Sequence, residues 1–239
     1  MPQKRRESIL QILSERQAVS VRQLAQLVYA SEASVRRDAA ALEKEGVVRR
    51  MHGSVMLASC ENSVVPLSVR DGDHAAQKER LARQAAAMVS DGDTLLMDAS
   101  STVRRMAKHL AGKKDLTIIT NNDGLLTEPG LSQARIYCTG GEYLRENHAF
   151  AGPAAERFVR GIRADKLFFS SQGLSKNGEV SDHSEVETSL RQAMLERAGV
   201  KICLMDDSKL GRQCRFRVCG KEDIDRFLCE QELPWESHL

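Results

Sequence analysis

The apolar positions along this chain keep a helical period at first and then change it. In "RRESILQILSER", Ile9, Ile12 and Leu13 recur at helical spacing and predict an amphipathic first helix. "AVSVRQLAQLV" restarts the pattern. Ser20 with Gln23 three residues on is a capping-box signature, and Leu24 and Leu27 form the expected buried stripe. Ser31 opens a third helix in which Val35, Ala39 and Leu42 share one face, and Gly46 closes it. In "VVRRMHGSVML" the content turns β-branched around Gly53, the pattern of a small hairpin. Three short helices, a tight turn between the second and third, and a hairpin describe a winged helix-turn-helix over residues 1–57.

Residues 58–73 show no period and read as a linker. From residue 74 an alanine-rich helical stretch leads into an alternation of two patterns. "TLLMD", "LTIIT", "ARIYC", "KLFFS" and "KICLMD" are short Ile/Leu/Val-rich strands; "STVRRMAKHLAG", "PAAERFVRGI" and "ETSLRQAMLERAG" are helical runs. The expectation is a larger α/β domain over residues 74–239 with a mostly parallel sheet covered on both faces. In such a sheet ligands bind beyond the carboxyl ends of the strands. Small polar residues follow several of those ends: Ser100, Ser101 and Thr102; Thr120, Asn121 and Asn122; Gly140 and Gly141; Ser208 and Lys209. The hydroxyls at 100–102 fit either an anion site or plain helix capping.

Charge sharpens the division. The whole chain carries a formal +2, but residues 1–57 hold ten Lys/Arg against six Asp/Glu, and the remainder 25 against 27. A basic head on a mildly acidic body points the head toward a polyanion. One exposed arginine pair would read as solvated charge. Here Arg36-Arg37 and Arg49-Arg50 flank a capped helix and a glycine turn, so DNA is the expected partner. Ser34, Arg36 and Arg37 face outward from the third helix, with Arg49, Arg50 and His52 on the wing.

The six cysteines, Cys60, Cys138, Cys203, Cys214, Cys219 and Cys229, include no Cys-x-x-Cys pair and read as reduced thiols. Cys214, Cys219, Cys229 and His238 match no common zinc spacing, and no metal or cofactor is expected. No run approaches the roughly eighteen apolar residues of a membrane span, and the N-terminus lacks an apolar leader, so a cytoplasmic protein is expected.

"LAQLVYASEASVRRDAAALEKEGVVRRMHGSV" resembles the winged helix-turn-helix of the DeoR family of bacterial transcription regulators. Ser31, Arg36, Arg37, Asp38, Leu42, Glu43, Gly46, Arg50, His52 and Gly53 match its pattern. Ser34 stands for the usual Thr, Ala39 for Leu and Ser54 for a second glycine. Further on, "DASST", "TNN", "TGGEYLR", "AGPAAE", "GLSKNG" and "DDSKLG" resemble, in order, that family's effector domain. The effector domain shares its fold with ribose-5-phosphate isomerase and sugar-phosphate deaminases.

The resemblance implies a regulator, most often a repressor, that binds operator DNA as a homodimer or homotetramer and responds to a phosphorylated sugar. It implies that Ser31 and Ser34 join the arginines at DNA. In the effector domain Ser100, Ser101, Thr102 and Lys209 would face a phosphate, and Asp98, Asn121, Gly141 and Glu185 would shape the sugar end. Ser100 stands where the family has glycine, which would narrow the phosphate loop. The alternative is a sugar-phosphate isomerase or deaminase with a DNA-binding appendage, using Asp98, His183, Glu185 and Lys209 as acid and base.

Overall fold

The computed structural model describes residues 2–16, 18–44, 48–51, 53–57, 67–72, 74–233 and 235, and the chain divides into two units, 1–73 and 74–239. The first unit runs α1 (Pro2–Arg16), β1 (Ala18–Ser20), α2 (Val21–Leu27), α3 (Glu32–Lys44), β2 (Val48–Met51), β3 (Ser54–Leu57) and α4 (Leu67–Gly72). Ser20 forms the capping box that its spacing from Gln23 predicts: its hydroxyl accepts from Gln23 N, and the Gln23 side chain accepts from Ser20 N. Ile9, Leu13, Val21, Leu24, Val35, Ala39, Leu42 and Val55 form one buried core.

Leu27 departs from the expected stripe and is 39% exposed. The buried arc of α2 runs through Val21, Leu24 and Ala25, with Val28 packed against the same core, and Leu27 falls outside that arc. The wing is a three-stranded antiparallel sheet in the order β1-β3-β2 rather than a bare hairpin. Gly53 makes its turn at φ +82°, a left-handed conformation that glycine adopts without penalty. Within the expected linker, residues 67–72 are helical, with Leu67 buried and α4 packed against β1. The Gly46 cap and His52 lie outside the described residues.

The second unit contains α5 (Ala75–Ala87), β4 (Thr94–Met97), α6 (Ser101–Arg104), β5 (Thr117–Thr120), β6 (Arg135–Cys138), β7 (Glu142–Leu144), β8 (Ala149–Ala151), α7 (Pro153–Arg160) and β9 (Ala164–Phe169). It continues with β10 (Gly173–Leu174), β11 (Val180–Asp182), α8 (Glu185–Arg197), β12 (Ala198–Leu204), β13 (Phe216–Cys219) and β14 (Arg226–Leu228). Six strands form a parallel sheet in the order β14-β12-β9-β4-β5-β6.

Successive strand residues point to opposite faces, and here both faces are covered. Leu95, Met97, Ile118, Phe168 and Ile202 pack with Leu81, Ala82 and Ala85 of α5. Leu96, Ile119, Leu167, Phe169 and Cys203 pack with Val159 of α7 and Leu190 and Met194 of α8. That arrangement explains the unbroken apolar runs in these strands. The helix expected over "STVRRMAKHLAG" is only the four residues of α6 and a short 3-10 turn, Ala107–His109. A small antiparallel sheet, β10-β11-β13, and a β7-β8 ribbon complete the unit.

Candidate functional site

In the first unit, α3 buries Val35, Asp38, Ala39 and Leu42 and leaves Ser31, Arg36 and Arg37 exposed around its N-terminal half. Ser31 begins the helix: its Oγ accepts from Ser34 N at 3.3 Å and lies 3.0 Å from Ser34 Oγ. Arg36 reaches back to Glu32 at 2.9 Å, an exposed pair one helical turn apart, and Arg37 Nε donates to Ala33 O at 3.4 Å. Asp38 turns the other way and accepts from Arg5 at 2.5 Å and Arg6 at 3.5 Å, tying α1 to α3.

On the wing, Arg50 closes on Glu43: Arg50 N donates to Oε1 at 2.8 Å and its Nε to Oε2 at 2.5 Å. The backbone hydrogen bond from Arg50, followed by its guanidinium, holds the Glu43 carboxyl below the usual carboxylate range. Arg49 is the next residue along the same strand, so the two side chains leave opposite faces of the wing. A pair in sequence is therefore two separate reaches in space.

In the second unit the carboxyl ends of β4, β5 and β12 and the loops beside β9 and β11 gather polar residues. Asp98, just past β4, is almost fully buried. It accepts from Ser100 N at 3.1 Å, Ser170 N at 3.4 Å and Arg191 Nε at 2.8 Å. Arg191, on α8, also donates to Asp182 at 3.0 Å and stands 3.9 Å from Glu187. Burial opposes its charge, but Asp182, Asp98 and Glu187 outweigh that and raise its pKa. Glu187 in turn accepts from Asn147 Nδ2 at 2.7 Å.

The Ser100 hydroxyl accepts from Val103 N at 3.2 Å, so it caps α6, with Ser101 and Thr102 buried behind it. Asn121 Nδ2 donates to Phe150 O at 3.0 Å. Gly141 sits at φ +104°, and a Cβ there would lie 2.4 Å from Ala151 O, so its glycine serves a close backbone approach to β8. Lys209, buried beside β12, donates to Gln172 Oε1 at 3.1 Å. Glu185 lies exposed in the first turn of α8, outside this buried group.

Asp206 caps the turn that carries Lys209, accepting from Ser208 N at 3.1 Å. Its burial favours the neutral acid, but Lys209, Ser208, Lys78 and His74 prevail and lower its pKa. His183 is half-buried, and burial lowers its pKa although Asp182 pulls the other way; Lys209, Arg212 and Arg215 lower it further. Among the described residues, buried polar atoms without a hydrogen-bond partner include Asn121 Oδ1, Asn122 Nδ2, His183 Nδ1, Thr188 Oγ1 and Asp206 Oδ2. All five belong to the loops at the carboxyl ends of the strands or to the first turn of α8. Such atoms are rare in a folded interior and call for a ligand or water.

A cavity of about 460 Å³ lies at the opposite end of the sheet, lined by Thr94, Arg163, Asp165, Glu196 and Arg197. Its polar groups serve the fold: Asp165 accepts from Thr94 N and Arg197 donates to Ile162 O. Among the described residues no group of three His, Cys, Asp or Glu is placed to hold a metal. Burial pushes the free thiols of Cys214 and Cys219 up to about 11 and about 12.

Family models decide what these two units are. Residues 5–61 match the DeoR-like helix-turn-helix domain, and residues 73–231 match the DeoR C-terminal sensor domain. This chain belongs to the DeoR family. It is 31% identical over 230 residues to the HTH-type transcriptional regulator YulB of Bacillus subtilis, covering 96% of this chain and 89% of that one. It is 31% identical to the transcriptional repressor AccR of Agrobacterium fabrum, with 93% and 87% covered, and 29% identical to the repressor GlcR of Bacillus subtilis, with 95% and 87% covered. Among solved structures, a D-ribose-5-phosphate isomerase aligns at 15% identity and TM-score 0.42, over 57% of this chain and 54% of that one.

As a DeoR-family protein it is a DNA-binding regulator of transcription. Within its sensor domain, sequence reasoning passed over Arg191, Asp182, Glu187 and Asn147. A signal for Arg191 existed: Glu187, Leu190, Arg191 and Met194 fall on one helical face, which places two charges inside an apolar stripe.

Proposed function

We propose that this regulator represses transcription by binding an operator of repeated half-sites as a homodimer or homotetramer, and that a phosphorylated sugar in the sensor domain changes its operator affinity. The observation that carries the ligand half is the set of partnerless buried polar atoms at the strand ends, two of them on Asp206 and His183, whose side chains feel the charge of buried Lys209. A cation for the phosphate and unused donors and acceptors for hydroxyls suit a small, polar, anionic ligand. Relatives named as repressors support the sign of regulation. At the head, Arg36 and Arg37 would meet bases or phosphates from α3, with Ser31 and Ser34 at its start. Arg49, Arg50 and His52 would serve the wing.

For the sugar to act, its contacts must differ between two states of the protein that differ in operator affinity. Asp98 suits the role of a link better than that of a base, because Arg191 holds its carboxylate. That engagement, with Glu185 exposed, argues against an isomerase or deaminase. A cytoplasmic site of action fits a regulator of DNA, and no helix among the described residues is long and apolar enough to cross a membrane.

The test is a gel-shift titration on the DNA upstream of its own gene, repeated with a panel of sugar phosphates. Specific binding that one sugar phosphate alters is the expected result. Binding that none of them alters, with no thermal shift of the protein, would remove the effector half. Absence of any preferred DNA would remove the whole reading.

A further inference from the structure

The turn between α2 and α3 contains a residue whose conformation and exposure work against each other. Val28 ends α2; Tyr29 N donates to Gln26 O at 3.3 Å and Ala30 N to Ala25 O at 2.9 Å. These two bonds form a Schellman closure, which requires the residue at position 29 to be left-handed. Glycine or asparagine normally stands there. Here it is tyrosine at φ +49°, with its side chain 97% exposed.

Both features are unfavourable on their own. A non-glycine residue in that conformation is strained, and at 97% exposure packing within its own unit does nothing to offset the strain. The two closing hydrogen bonds prevent the backbone from relaxing without opening the turn. The closed turn has one useful consequence: it fixes the direction in which the Tyr29 Cα–Cβ bond leaves the chain.

Tyr29 is three residues before Glu32, the first residue of α3, so at most roughly 11 Å of chain separate their Cα atoms. The major groove that receives such a helix is about 12 Å wide. With the start of α3 at the groove floor, a side chain on this tether is within reach of the groove wall, where deoxyribose and phosphate are exposed. An amphipathic ring suits that surface, with an apolar face for the sugar and a hydroxyl that donates to a phosphate oxygen. We propose that Tyr29 is a DNA contact that seats α3 by touching the sugar–phosphate backbone beside it.

The inference rests on the DNA-binding reading of the head, and the experiment keeps the two apart. Wild type, Arg37→Ala, Tyr29→Gly, Tyr29→Asn and Tyr29→Phe are titrated in the full chain on the operator and on unrelated DNA, with melting temperature and oligomeric state recorded. Gly and Asn accept the left-handed conformation, so their melting temperatures should hold or rise while affinity falls roughly tenfold on both DNAs, the size of one well-formed contact. The slope of affinity against salt should stay the same, since no cation is lost. Tyr29→Phe, which keeps the ring and loses only the hydroxyl, should fall between the wild type and Tyr29→Gly.

Wild-type affinity in Tyr29→Gly and Tyr29→Asn would overturn the proposal. So would a loss that follows a lower melting temperature, or one that follows dissociation of the oligomer, which would make the ring a contact between copies. A wild-type chain that prefers no DNA would instead overturn the reading of the head.

Discussion

The two units use charge in opposite ways. In the head, Arg36 pairs with an exposed neighbour one turn away, and its side chain is 63% exposed. In the sensor domain, Arg191 is buried among Asp98, Asp182 and Glu187, with its side chain 6% exposed. An exposed pair contributes little to stability and leaves the guanidinium available. A buried one is committed, because removing either partner strands a charge away from water. Charge is left at the surface in the head and organises an interior in the sensor domain.

That contrast can be broken most severely at Arg191. Arg191→Leu should destabilise the sensor domain by about 3–5 kcal/mol, since two or more buried carboxylates lose their partner; urea unfolding would measure it. Wild-type stability would mean that the network carries no weight. Arg37→Ala should do the reverse, leaving the melting temperature alone while weakening operator binding by about 1–3 kcal/mol if it reads a base.

Lys209→Gln should leave operator binding intact and abolish the response to a sugar phosphate. In the wild type, ligand at 100 times its dissociation constant should add about 2.7 kcal/mol of stability, and that increment should vanish in the variant. The smallest effect belongs to Glu43. Its folded pKa lies below its unfolded value, so its contribution is present above the normal glutamate range and is lost as pH falls through the lowered pKa. For so exposed a pair this is less than about 1 kcal/mol, and Glu43→Gln should flatten that part of the acid melting curve.

Much of the architecture was legible because the signals were local. A capping box needs four residues, and Ser20 and Gln23 form it as written. The apolar runs of β4, β5 and β9 announced a sheet covered on both sides. Elements too short for a period stayed hidden: β1 has three residues, and α4 has six within a stretch that read as linker. Leu27 misled because a spacing of three satisfies the helical template while lying outside the buried arc.

The candidate site in the sensor domain was legible as loops but not as chemistry. Ser100 and Gly141 stand at the strand ends, yet capping and backbone clearance account for them. Arg191 joins residues up to 93 positions apart in sequence, a relation that no local pattern encodes.

Arg36, Arg37 and Asp38 are consecutive, yet they leave their helix in different directions, two outward and one inward to Arg5 and Arg6. A mutational scan scored by repression alone would show a block of three sensitive positions and invite a single explanation. Asp38→Ala would release the hold of α1 on α3 and mimic a lost contact, although a carboxylate has no place against phosphate. Only a scan that reads melting temperature beside repression would separate the residue that aims the helix from those it aims.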